Sequence, residues 1–156
     1  MRFIANVILT VVSALWLGGI VALLMLVQHL FKHDRAIAVQ AAPVMFVLFE
    51  KYQIGLAAIA IGTLLLARQR HWRFTLIPIS LAAALAVASA AMLTPRIEHL
   101  RQAGQSGTPA FRSLHGASMA LYSIEVALLL TMIVTQAWCV RNGAGSRNQT
   151  LTGEIA

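Results

Sequence analysis

The residues able to do chemistry are few: five histidines, five acids, one cysteine and 12 Lys or Arg among 156 residues. The most informative group is FRSLHGASMALYSIE, residues 111–125, which opens the last long apolar run. On a helix turning ~100° per residue, His115, Ser118, Tyr122 and Glu125 fall within an arc of about 80°, one polar stripe on an apolar rod. Glu125 lies 13 residues past Arg112, about 20 Å along such a helix and near the middle of a bilayer. An ionisable side chain at that depth is costly and marks a functional position by default. The plainer role is polar glue, a carboxyl hydrogen-bonded to a neighbouring helix.

A second group gathers at the ends of the apolar runs. His29, His33, Glu50, Glu98 and His99 are expected to cluster on one side of the membrane, with Asp34 and His115 nearby. Met25, His29 and His33 recur every fourth residue and share a helical face. Imidazole with thioether is a copper-like donor set, and two imidazoles from different helices, His29 and His115, could ligate the iron of haem b. The competing role is ordinary interfacial hydrogen bonding, since no close-spaced ligand signature is present. No metal or cofactor is expected on balance. The chain contains no glycine-rich phosphate loop, nucleophile elbow or HExxH, and a membrane enzyme would require a second buried acid or nucleophile facing Glu125, which spans one to three do not offer to a reading of the sequence. The expectation is therefore a non-enzymatic protein.

The elements that must position these residues are membrane spans. Hydrophobic residues make up 59% of the chain and charged ones 11%, with mean hydropathy +0.77, against about 25% charged in a soluble domain. The net charge of +7 is spread over the ends of apolar runs, as in membrane anchors, and forms no nucleic-acid-binding face. Four spans are predicted, at about 3–31, 46–67, 74–94 and 113–140, an all-α integral membrane bundle followed by a disordered polar tail over 141–156. In the second span Tyr52–Ala67 is only 16 uncharged residues, so the helix is expected to start shortly before Glu50, with Lys51 snorkelling to the interface and an interfacial turn around Pro43. Trp16, Gly18, Gly19 and Ala22, and separately Gly55, Ala58 and Gly62, offer small-residue faces for close helix packing. Pro95 is expected to end the third span, leaving 95–112 as a polar loop. Even span number puts both termini on one side; six basic residues flank each side, and the compact Arg68, Arg70, Arg73 hairpin with His71 tilts that side to the cytoplasm. The lone Cys139 excludes an internal disulfide.

WLGG in the first span, LFKHDRAIAVQAAPVMFVLFEKYQ after it, and TPRIEHLR followed by FRSLHGASMALY together resemble a four-helix membrane family. Its eukaryotic member is the transmembrane protein associated with cisplatin resistance; its bacterial members carry a domain of unknown function. The resemblance covers about residues 5–140 and rests on Trp16, Gly18, Gly19, Pro95, His115 and Ser118. It departs where Gln28-His29 stands in place of a proline before Leu30-Phe31. A weaker similarity reaches copper-resistance D membrane proteins. The resemblance implies a bacterial inner-membrane protein, resistance- or transport-related or an accessory subunit, with the lipid bilayer and a homo-oligomer or larger membrane complex as partners.

Overall fold

A computed structural model describes the backbone of residues 2–67 and 72–153 and the side chains of residues 3–67 and 75–138. The hairpin residues 68–71, His71 among them, and the side chains of Cys139 and the C-terminal tail lie outside this set. The described chain is helical: α1 Arg2–His33, α2 Arg35–Ala67, α3 Trp72–Ala88, a π-helical turn Ser89–Leu93, α4 Thr94–Gln102 and α5 Pro109–Gly153. The π turn joins α3 and α4 into one rod, so the architecture is four helices. Phe3–His33, Arg35–Ala67, Thr75–Gln102 and Pro109–Trp138 are each long and apolar enough to cross a membrane.

Several boundaries differ from the sequence expectation, each for a local reason. Helix α2 begins at Arg35 rather than near residue 46. Asp34 caps it, its Oδ1 accepting from the N–H of Ala36 at 2.9 Å and of Ile37 at 3.0 Å, so the connection from α1 is one residue long. Pro43 lies inside the helix without ending it: one lost ladder bond is outweighed where the flanking Ala42 and Phe49 are buried in the core. Pro95 does not end the third rod either. It falls in the first turn of α4, where the π turn has already interrupted the regular ladder that its missing N–H would have served. The true stop is Gly104, at φ +70°. Gln105 N–H donates to the Leu100 carbonyl at 2.9 Å and Gly104 N–H to that of Arg101 at 3.0 Å, the paired bonds of a glycine-terminated helix. The polar loop shrinks to residues 103–108, and α5 opens with Thr108 accepting from Phe111 N–H at 3.3 Å and Pro109 at its first position. At the other end α5 runs on to Gly153 in place of a disordered tail beyond Val140; each added helical residue contributes a backbone bond without a new nucleation cost.

The core is a seam of Leu9, Val12, Trp16, Ile20, Leu56, Ala60, Leu64, Ile79, Ala82, Ala86, Leu129 and Met132. Its outer surface is apolar as well, with Met25, Leu48 and Leu66 among the exposed side chains, as a lipid-facing bundle requires. Gly19 is the true packing glycine. A Cβ there would meet Phe49 Cε2 at 2.8 Å and Tyr52 Cε1 at 3.3 Å, whereas one on Gly18, Gly55 or Gly62 would meet nothing within 4 Å. Ala22 and Ala58 are exposed, so the expected Gly55–Ala58–Gly62 face does not pack within the chain; α2 presents Leu56, Ala57, Ala60 and Leu64 instead.

Candidate functional site

Because α2 starts at its Asp34 cap, Glu50 is the sixteenth of 33 residues, at mid-helix. Glu50 is 4% exposed and Gln53, one turn on, 0%. The sequence alone places Glu50 with the histidines, because the Glu50-Lys51 pair bounds the uncharged stretch Tyr52–Ala67. Lys51 is exposed, while its neighbour turns inward.

The helical register brings the other members of the site to the same height. Thr10 and Ser13 of α1 meet Gln136 and Met132 of α5, at 3.3 and 3.7 Å. The two helices run antiparallel, so ascending α1 by one turn matches descending α5 by one turn. Trp16 comes level with Leu129, and Ile20 with Glu125. Gly19 against Phe49 and Tyr52 likewise sets Ile20 level with Glu50. The result is one polar layer crossing the interior: Trp16, Glu50, Gln53, Ser89, Tyr122 and Glu125, each no more than 4% exposed. The Tyr122 ring sits 5.9 Å from Phe46 and 6.3 Å from Phe49, which close the layer from α2.

The two carboxyls differ in their surroundings. Ser89 donates to Glu50 Oε1 at 3.1 Å, and Thr94 donates to the same oxygen. In an α-helix, residues five apart point about 140° from one another and could not share an acceptor. The π turn removes that obstacle: Thr94 N–H donates to the Ser89 carbonyl, the i→i+5 bond that stacks the two residues. Glu125 has no such clamp. Among the described residues neither of its carboxyl oxygens has a hydrogen-bond partner, and the same holds for both amide atoms of Gln53, the Tyr122 hydroxyl and Trp16 Nε1. The role of interhelical glue therefore passes from Glu125 to Glu50.

The predicted stripe on α5 divides at its middle. Tyr122 and Glu125 enter the layer, Ser118 is half-buried, and His115 is exposed, stacked on Phe111 at 6.1 Å with 9° between ring planes. Of the expected outer cluster, His29, His33, Glu98 and His99 sit near the helix ends that flank Asp34 and residues 103–108, while Glu50 leaves them for the interior. His29 and His33 pair at the end of α1, rings 4.2 Å apart, with exposed Met25 below them. Glu98 is taken up by Arg101, at 2.6 and 2.7 Å, and by Gln102 at 2.7 Å. His99 lines a shallow groove of about 350 Å³ with Pro95, Arg96, Leu100 and Leu114. No group of three or more His, Cys, Asp or Glu converges as a metal cage among the described residues.

Sequence reasoning missed Gln53, Ser89 and Thr94. For Gln53 the signal was present, three residues past Glu50 and so on its face; for the two hydroxyls there was none, since only the π turn aligns them.

Four membrane-length helices around a sealed layer holding two carboxyls define a polytopic membrane bundle with an acidic centre. The sequence matches the family described as Domain of unknown function (DUF4149) over residues 10–106, and the chain belongs to that family. The matched stretch contains Trp16, Glu50, Gln53, Ser89 and Thr94, while Tyr122 and Glu125 lie beyond it. No curated protein and no solved structure matches.

Proposed function

We propose that this chain is a non-enzymatic integral protein of the bacterial inner membrane, transport- or resistance-related, working alone or as an accessory subunit, with the buried acidic layer as its working part. The observation that carries this is Glu125: a carboxyl 1% exposed, in the middle of a membrane helix, with no hydrogen-bond partner among the described residues. Leaving a buried polar group unpaired costs about 1–3 kcal/mol, and ionisable residues placed so inside a membrane belong to ion or proton paths. A second buried acid, Glu50, stands opposite. An enzyme could use two acids, but a layer closed by Phe46, Phe49 and Tyr122 admits no sizeable substrate, and that favours a centre that exchanges protons or small ions. Resistance, as in the cisplatin-associated family that the sequence resembles, would follow from such exchange.

The test is acid flux in vesicles holding purified protein and an internal pH-sensitive dye. Wild type should dissipate an imposed pH gradient faster than Glu125→Gln or Glu50→Gln. Equal rates for the three proteins would remove the layer from the function.

Copper is the second reading, favoured by Met25, His29 and His33 on one exposed face of α1, with the two imidazoles already paired. Haem b between His29 and His115 lacks comparable support, because His115 is engaged with Phe111. Metal analysis and a visible spectrum of the detergent-solubilised protein test both.

A further inference from the structure

We propose that the acidic layer is a binding site for a desolvated monovalent alkali cation, which exchanges there with a proton. This rests on the reading of the layer as the working centre and names its ligand. The donor set is made of oxygens: the carboxyls of Glu50 and Glu125, the hydroxyls of Ser89, Thr94 and Tyr122, and the amide oxygen of Gln53. Hard oxygen donors of this kind select alkali and alkaline-earth ions over soft metals. A proton requires one acceptor. Several neutral oxygens at one height are what an ion needs when it gives up its hydration shell.

Among the described residues no basic side chain faces the layer. Helix α1 carries no charged residue from Phe3 to Phe31. On α2 the only basic side chain near Glu50 is Lys51, which is exposed. The rod of α3 and the π turn presents uncharged Ser89, and the charged groups of α4 lie beyond Thr94, with Glu98 and Arg101 paired to each other and Arg96 and His99 exposed. On α5, Arg112 and His115 are exposed, leaving Tyr122 and Glu125 facing inward. Glu50 Oε1 already accepts two hydroxyl donors, whereas both oxygens of Glu125 are open, so the principal ligand is Glu125. A divalent ion fits less well: Mg²⁺ gives up its water reluctantly and Ca²⁺ takes six to eight oxygens. Each bound ion displaces one proton from a carboxyl, and the charge of the layer is unchanged.

Trp16, fully buried one helical turn from the height of Glu125 and with no partner for its Nε1 among the described residues, supplies the readout. In full-length protein carrying Trp72→Phe and Trp138→Phe, NaCl or KCl should shift Trp16 emission saturably relative to choline chloride at equal ionic strength. The apparent affinity should strengthen from pH 6 to pH 9, by up to about tenfold per unit for one displaced proton. Glu125→Gln should abolish the response and Tyr122→Phe or Ser89→Ala should weaken it. Equilibrium dialysis of wild type with radioactive sodium gives the same answer without any variant. A response to pH with none to Na⁺ or K⁺ would overturn the cation site and leave the proton-exchanging layer standing. A response to Mg²⁺ or Ca²⁺ alone would overturn the monovalent assignment, and no response to pH or to any cation would overturn both readings.

Discussion

Glu50 and Glu125 are the same side chain at the same depth, and they should respond in opposite directions to the same substitution. Glu50 is clamped by two hydroxyls, so Glu50→Leu strands Ser89 and Thr94 in the core and should lower stability by about 1–3 kcal/mol. Glu125 has no hydrogen bond to lose among the described residues. Glu125→Leu replaces an unpaired carboxyl by an apolar side chain of similar size and should raise stability by about 1–3 kcal/mol while removing function. Denaturant unfolding in detergent measures both, and a destabilised Glu125→Leu would restore the glue reading of that residue. Gln53 and Tyr122 carry the same logic more weakly, as buried polar groups of the layer whose polar atoms have no hydrogen-bond partner among the described residues.

At the scale of the element, two devices set where these residues point. The first is the approach of α1 to α2 at Gly19. Gly19→Ala drives a Cβ against the ring of Phe49 and should cost about 1–3 kcal/mol. Gly18→Ala meets open space and should be neutral or gain up to about 1 kcal/mol from helix propensity. Paired unfolding curves of the two variants measure the difference. The second device is the π turn, one residue more than an α-helix needs. Deleting the exposed Ala91 leaves Ser89 and the threonine four apart on one α-helical face, so the Glu50 clamp should survive with a change within about 1 kcal/mol. Inserting a further alanine there rotates the downstream helix by ~100° and should cost as much as losing the clamp, about 1–3 kcal/mol.

The whole molecule is four rods whose short connections alternate between the two ends, with Asp34 and the 103–108 loop at one end. In a Cys139→Ser background, Gly104→Cys should label from outside the cell with an impermeant reagent and Arg70→Cys should not, which places the termini in the cytoplasm. Labelling of both from one side would break the four-span count, and the reverse pattern would invert only the orientation. The sealed layer lies between these ends.

Composition and the lengths of the charge-free runs were enough to read four membrane helices, their antiparallel order and the mid-span position of Glu125, because hydropathy over about 20 residues is a property of the chain itself. The sequence offers Gly18, Gly19 and Ala22 alike as close-packing positions, and only the folded bundle selects Gly19 among them. The site was only half legible. Depth in a bundle is counted from where each helix begins, and the cap at Asp34 and the stop at Gly104 moved two of those origins, carrying Glu50 from the surface to the centre. The convergence of Ser89 and Thr94 on one oxygen depends on an i→i+5 turn that no periodicity announces. Which polar residues share a layer is a matter of register between helices far apart in the chain, and only the folded bundle fixes it.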